Sequence, residues 1–352
     1  MKRGQPIEPS SRRLAPETTV SIVIPCFNEE AVLPLLHKRL AAATEAWPLD
    51  YEVILIDDGS RDGTWELIAE LHDRDPRWKA IRLARNFGHQ TALRAGLQAV
   101  SGDLVAVLDA DLQDPPEVLP RFFEKWAEGF DVVYGVRRDR KEGVVMRSAY
   151  FWFYRLLSLL ADQEVPLDAG DFSVMDRRVV ELLKMMPERK PFIRGLRSWV
   201  GFHQVAMPYD RQKRAAGETK YGFRRLIGLA TDGILSSSVF PLRVATWLGA
   251  TVSVVSFLGG VFTLLIGFFP ALFARFGIQR VEGTVSVLVA ILFLGGVQLL
   301  FLGVLGEYIG RIYENAKGRP LCTIYETRGL PPALSERDLL APGDAEPADR
   351  PY

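Results

Sequence analysis

An excess of either charge is missing from this 352-residue chain, in which 43 Lys and Arg side chains meet 43 Asp and Glu. A balanced chain presents no basic field to a polyanion, so no nucleic-acid partner is expected. Cysteine is scarce: Cys26 and Cys322 are the only two, and they lie far apart. That excludes a disulfide framework and fits a reducing, cytoplasm-facing body. Residues 1–18 contain no apolar run. They read as a flexible N-terminal arm, with no cleavable signal peptide expected. No G-x-x-x-x-G-K-[ST] occurs, and no G-x-G-x-x-G opens the first helix. Kinase, ATPase and simple NAD-enzyme readings therefore lose their usual phosphate loop. Internal repeats are absent too.

What is present begins at Thr19. Short β-rich apolar runs alternate with helical patterns: strand Val20–Ile24, helix Glu30–Ala46, strand Glu52–Ile56, helix Thr64–His72, strand Ala80–Leu83 and helix His89–Val100. Strand Leu104–Leu108, helix Pro116–Glu128 and strand Asp131–Tyr134 continue the series. This rhythm predicts an α/β domain, a mostly parallel sheet with helices on both faces. Ligands of such sheets bind outside the carboxyl ends of the strands, so polar residues there should carry the chemistry.

Two acidic segments sit at such ends. Asp57-Asp58-Gly59-Ser60-Arg61-Asp62-Gly63-Thr64 follows the second strand. Its carboxylates suit a ribose or base, and its glycines let backbone approach a ligand. An ordinary Asp/Gly turn capping the next helix remains open, whereas a calcium loop fails because Ala69 stands where the bidentate Glu belongs. Asp109-Ala110-Asp111-Leu112-Gln113-Asp114-Pro115-Pro116 follows the fourth strand. Two carboxylates so close repel unless a hard cation lies between them, and that cation can bridge to diphosphate oxygens, with Gln113 as a further oxygen ligand.

The composition changes near Arg243. Val244 to Ala274 carries no charge, and Val285 to Gly306 has Gln298 as its only strongly polar side chain. Each run exceeds the roughly 20 helical residues that cross a hydrocarbon core. A hairpin over 244–306 is expected, with helices at about 244–270 and 285–306. Arg224, Arg225 and Arg243 precede it, and Arg311, Lys317 and Arg319 follow it. That bias places the large domain and both termini in the cytoplasm, on a multi-pass protein of the plasma membrane. Gly143–Ala161 and Tyr221–Ser238 mix aromatic and basic residues. Both read as interfacial helices, the first equally as a core or contact helix. Segment 223–243 is then juxtamembrane, 307–328 is a cytoplasmic C-terminal segment, and 329–352, rich in Pro, Ala and acids, is a disordered tail.

VSIVIPCFNEE (Val20–Glu30), DDGSRDGT (Asp57–Thr64), NFGHQTALRAGL (Asn86–Leu97) and DADLQDPPE (Asp109–Glu117) together resemble family 2 glycosyltransferases. GDFSVMDRR (Gly170–Arg178), RAAGETKYGFRRL (Arg214–Leu226) and GEYIGRIYENAKGRPL (Gly306–Leu321) resemble the polyprenyl-phosphate branch, which includes dolichyl-phosphate mannose synthases and bactoprenol glucosyl transferases. The resemblance runs from about Thr19 to Tyr325. It implies a GT-A catalytic domain over 19–222 ahead of the hairpin, inversion at the anomeric carbon, and Mg²⁺ or Mn²⁺. It also implies a nucleotide-sugar donor with UDP-glucose favoured, a polyprenyl phosphate acceptor and a homotetramer. A flippase and a polytopic glycosyltransferase would act downstream on the product. By the same resemblance Pro25, Asn28 and Glu29 lie by the nucleotide, and Asp57 and Asp58 near its base and ribose. Asp109, Asp111 and Gln113 sit at metal and diphosphate, and Asp171 near the acceptor. Arg137, Arg211, Arg214 and Lys220 meet phosphates, with a solvated or headgroup-facing surface left open for the arginines.

The acceptor that the resemblance implies is a phosphate monoester, whose second pKa is about 6, so it would be a nucleophile without a strong base. Asp171 is therefore expected to orient rather than deprotonate. Two rival readings remain. A processive polysaccharide synthase would carry Q-x-x-R-W after the Asp-x-Asp segment, but the only Arg-Trp pair, Arg77-Trp78, precedes it. A membrane-tethered nucleotide-sugar sensor would not need Asp171 or the basic segment.

Overall fold

A computed structural model describes residues 12–137, 169–188, 191–210, 240–274 and 283–331. The chain divides into two compact units, one holding every described strand and the other the long apolar helices. Gly143–Ala161 and Tyr221–Ser238, the two expected interfacial segments, lie outside the described residues.

In the first unit β1 (Thr19–Cys26), α1 (Leu33–Thr44), β2 (Asp50–Asp57), α2 (Thr64–Arg74), β3 (Trp78–Leu83), α3 (His89–Ala99) and β4 (Leu104–Val107) follow the expected alternation. A 3₁₀ turn at Pro116–Val118 leads into α4 (Leu119–Ala127) and β5 (Val132–Arg137). Then come β6 (Ala169–Asp176), α5 (Arg177–Met185), α6 (Ile193–Trp199) and β7 (Gln204–Tyr209). The eight-stranded sheet is closed at one edge by β8 (Ile324–Arg328) and runs β7-β5-β6-β4-β1-β2-β3-β8. β1 pairs in parallel with β2 and β4, β2 with β3, and β5 with β7, while β6 and β8 run antiparallel to their neighbours.

Apolar side chains of α1, α2 and α4 cover one face of the sheet, and those of α3 and α5 cover the other. Leu33, Leu36 and Leu40 of α1 recur at helical spacing and are buried together, as the 3.6-residue period requires. α3 approaches the sheet closely through Gly96, where a Cβ would lie 2.5 Å from both Ile56 and Val23 side chains. That contact, in the second half of α3, seats the helix against β1 and β2.

Strand β6 matters most for the site. The sequence rhythm predicted a mostly parallel sheet and did not include β6, which lies between β4 and β5 and runs antiparallel to both. Because β6 is antiparallel to β4, with Val107 opposite Ser173, its first residues return to the edge where β4 ends. Asp171 is thereby carried to Asp109.

The expected arm, residues 1–18, is docked over its described part. Arg12 pairs with Asp131 and Asp176 and lies over the Trp126 ring, and its backbone N–H donates to Ala127.

The second unit contains α7 (Phe240–Phe268), α8 (Pro270–Ala274) and α9 (Thr284–Ala316). α7 and α9 are long and apolar enough to cross a membrane, over Val244–Phe262 and Phe293–Ala316. Trp247, Val255, Phe257, Leu299 and Leu302 are all exposed. Water disfavours so much bare apolar surface, so the pair suggests association with a membrane.

Candidate active site

The loops after β1 and β2 are stitched together. Asn28 N–H donates to Ser60 Oγ at 2.9 Å, and Arg61 N–H returns a bond to Asn28 Oδ1 at 2.9 Å. Asn28 takes a φ of 56°, a left-handed conformation that asparagine tolerates. Glu29 N–H donates to Thr64 Oγ1 at 2.9 Å, and Gly63 N–H to Glu30 Oε2 at 2.9 Å. Pro25 is buried at the end of β1, in register with Ile56. Gly59 has a φ of 67°, and a Cβ there would meet Arg85 backbone at 2.5 Å, so only glycine fits the turn. Pro25, Asn28, Glu29, Asp57 and Asp58 thus meet at one corner of the sheet edge.

The two carboxylates there differ in task. Asp58 Oδ1 and Oδ2 accept Phe87 N–H at 2.7 Å and Gly88 N–H at 2.9 Å, which secures the entry to α3. Burial still raises the Asp58 pKa, with Asp57 adding to it, against those two backbone bonds. Asp57 is fully buried; its Oδ1 accepts Ser60 N–H at 2.9 Å, and its Oδ2 lies 3.4 Å from Arg82 Nε.

At the neighbouring corner stand Asp109 and Asp171. Asp109 Oδ1 is buried and has no hydrogen-bond partner. Its pKa is pushed up to about 7, by burial first and then by Asp114, Asp171 and Asp111, with His89 pulling the other way. Asp111 is buried, and its Oδ1 accepts Gln113 N–H at 3.1 Å across a turn in which Leu112 takes a φ of 58°. Asp114 accepts the Tyr209 hydroxyl and so ties this loop to β7. Among the described residues, no three His, Cys, Asp or Glu side chains form a self-sufficient metal cluster.

His89, the first residue of α3, bridges the two acids. Its Nε2 lies 3.4 Å from Asp171 Oδ2 and 3.7 Å from Asp109 Oδ1. Burial lowers the His89 pKa, but the bond to Asp171 and the charges of Asp109, Asp171 and Asp58 outweigh it and hold the imidazole above its ordinary value. Gln90 Nε2 donates to Asp171 Oδ2 at 2.8 Å, while its Oε1 accepts Ile193 N–H at 2.9 Å. From α6, Arg194 Nε lies 3.7 Å from Asp171 Oδ1, and Arg197 is buried beside it, its guanidinium 5.2 Å from the Tyr134 ring centre. Burial opposes ionisation of Asp171, yet His89, Arg194 and Arg197 together hold its carboxyl well below the usual carboxylate range. Burial also lowers Arg197, to about 10.

Of the remaining expected residues, Arg137 ends β5 in register with Tyr209. Arg211, Arg214 and Lys220 lie outside the described residues. His89, Gln90, Arg194 and Arg197 were not singled out by sequence. His89 and Gln90 sit inside a matched motif that offered no role for them. Arg194 and Arg197 carried one legible signal: two arginines three apart among Ile193, Leu196 and Trp199, where a buried charge needs a partner.

A model of the family described as Glycosyl transferase family 2 matches residues 21–183. The uncharacterized glycosyltransferase YkcC of Bacillus subtilis is 43% identical over 311 residues, which is 88% of this chain and 94% of that one. The SfII prophage-derived bactoprenol glucosyl transferase of Shigella flexneri is 43% identical over 318 residues, covering 89% of this chain and 99% of its own. Among solved structures, glucosyl-3-phosphoglycerate synthase from Mycobacterium tuberculosis is a distant likeness, 20% identical with a TM-score of 0.45, covering 62% of this chain and 79% of that one. The chain belongs to glycosyl transferase family 2 and, within it, to the group that includes the bactoprenol glucosyl transferases.

Proposed function

We propose that this chain transfers glucose from UDP-glucose to the phosphate of a polyprenyl carrier, with inversion, at the cytoplasmic face of the membrane that its two apolar helices enter. The observation that carries the reading is the Asp109–His89–Asp171 constellation at the carboxyl edge of the sheet, in a chain related over 89% of its length to a bactoprenol glucosyl transferase. Under this reading the product is a lipid-linked monosaccharide, passed to a flippase and a polytopic glycosyltransferase. The working assembly is a homotetramer.

The donor corner is built by Pro25, Asn28, Glu29, Asp57 and Asp58, with the base and ribose against the last two. The residues present fit a divalent cation, Mg²⁺ or Mn²⁺. Asp109 Oδ1 is buried without a partner, and three further carboxylates crowd it. Asp109, Asp111 and Gln113 would hold the ion. When bound, it offsets negative charge that grows on the departing nucleoside diphosphate. Asp171 keeps the acceptor phosphate in line with the anomeric carbon, and no strong base is required because that phosphate is already deprotonated at neutral pH. Arg137, Arg211, Arg214 and Lys220 would neutralise the two polyanions as they meet.

The test is transfer itself. Membranes containing the protein, given radiolabelled UDP-glucose and undecaprenyl phosphate, should form one chloroform-soluble labelled lipid. Asp109→Ala with Asp111→Ala, or excess chelator, should lower the rate by about a hundredfold or more. Undiminished transfer by that double variant would overturn the reading, as would a labelled polymer.

A further inference from the structure

All the reactants of the proposed transfer are phosphate anions, yet the phosphate contacts read from sequence all lie at or beyond the end of β5. The described part of the site holds cations of its own. Arg194 and Arg197 stand three apart on α6, so both guanidinia lie on one side of that helix. Arg197 is 1% exposed, and its Nε has no hydrogen-bond partner. Arg194 Nε is likewise buried without a partner, whereas its side chain as a whole is 29% exposed, so part of it reaches the solvent side of the site. An arginine cannot shed its proton to escape such a setting; it must find an anion.

Asp171 is the anion both arginines face, at 3.7 Å from Arg194 Nε, a separation too long for a hydrogen bond. Asp171 is also shared. Its Oδ2 is taken by Gln90 at 2.8 Å and faces His89 at 3.4 Å. One carboxylate thus faces two guanidinia as well as an imidazole that Asp109 shares, and the Arg194 guanidinium keeps an unfilled donor. Gln90 fixes the pieces relative to one another, because the same amide that holds Asp171 accepts the N–H of Ile193 at the start of α6.

From this geometry we infer that Arg194 is a phosphate-binding residue of the transfer site, with Asp171 facing its guanidinium and Gln90 tying Asp171 to the start of its helix. The ligand is a phosphate oxyanion, supplied by the acceptor monoester or by the donor diphosphate. The inference rests on the transferase reading for its substrates, and it gives Asp171 a definite task as the anchor of a cationic clamp.

Binding measurements on the full-length protein in detergent separate the sources. Undecaprenyl phosphate is compared with undecaprenol, and UDP with uridine, for wild type, Arg194→Ala and Arg194→Lys. Loss of one charge-assisted hydrogen-bonded contact predicts that Arg194→Ala loses about tenfold or more of the preference for the phosphorylated member of one pair. Affinity for its unphosphorylated partner should stay unchanged. Loss in the lipid pair assigns the acceptor, and loss in the uridine pair assigns the donor. Arg194→Lys keeps the charge but not the fork, and should fall between the two proteins. Retention of both preferences by a folded Arg194→Ala overturns the inference. If that variant does not fold, full retention by Arg194→Lys overturns it equally. A wild type that shows either phosphate preference but transfers no glucose would refute the proposed reaction while leaving the phosphate site standing.

Discussion

A carboxylate facing two guanidinia and an imidazole is a poor proton acceptor. Asp171 is in that position, and its depressed pKa means that the ionised form is stabilised by the same contacts that would resist its protonation in a reaction. General-base catalysis is most effective from a group whose pKa lies near the working pH, and Asp171 has moved the other way. Replacing it with Asn should therefore remove the clamp without removing a base. Asp171→Asn should lower kcat/KM by about a hundredfold, since the charge-assisted contacts of a buried group are lost. The shape of its pH–rate profile between pH 6 and 9 should match that of wild type. Recovery of turnover at high pH would instead mark a lost base and count against the orienting role.

The alternation from β1 to β4 was legible because β1, β2 and β4 hold near-continuous apolar runs, β3 keeps apolar residues between Lys79 and Arg82, and each helix has an apolar stripe. Asp57, Asp58, Asp109 and Asp111 were legible for a related reason: an acid straight after such a run must stand at the ligand edge. The antiparallel return of β6 was not legible, because its pairing with β4 is settled by residues far away in sequence. Hence the meeting of Asp171 with Asp109, His89 and Arg194 could not be read from spacing. Nor could the docking of Arg12, whose partners Asp131 and Asp176 lie on two other elements and are themselves joined by Arg178. At the same amino-terminal end of the sheet a comparable node joins β1, β2, β3 and the turn after α3. Glu52 Oε1 accepts Ser21 Oγ–H, Ser101 N–H at 2.8 Å and Ser101 Oγ–H at 2.9 Å, and Oε2 pairs with Lys79. Burial works against ionisation of Glu52, but Lys79, Ser21 and Ser101 prevail and lower its pKa. A folded-state pKa below the unfolded one means stability that is present above about pH 4.3 and is lost as pH falls through the folded value. Glu52→Gln should cost about 1–3 kcal/mol at pH 7. Thermal unfolding followed against pH should show the gap to wild type closing below about pH 4. A gap independent of pH would mean that shape, not charge, holds these strands.

At the scale of the whole molecule, the order of segments along the chain carries a constraint. β8 lies after α9 in sequence yet closes the sheet against β3, with Ala80 opposite Arg328 and Ile81 opposite Thr327. Cys322, just before it, is buried with the apolar cluster under α3, and burial pushes its thiol up to about 12. The catalytic unit is therefore not a continuous N-terminal piece to which an anchor was added; its last strand comes from beyond the apolar helices. Cutting the chain at 239 would strip β8 from β3 and bare the edge of a parallel core, with its row of unpaired N–H and C=O groups. Deleting 240–317 and bridging the gap with a long Gly/Ser linker keeps β8 and the buried Cys322 while removing α7, α8 and α9. The bridged protein should elute as a discrete species in size-exclusion chromatography and bind UDP with wild-type affinity, whereas the protein cut at 239 should aggregate. Equal solubility and equal UDP binding by the two would show that β8 is dispensable to the sheet. Aggregation of both would show that the sheet-bearing unit depends on the apolar helices for more than their attachment to a membrane.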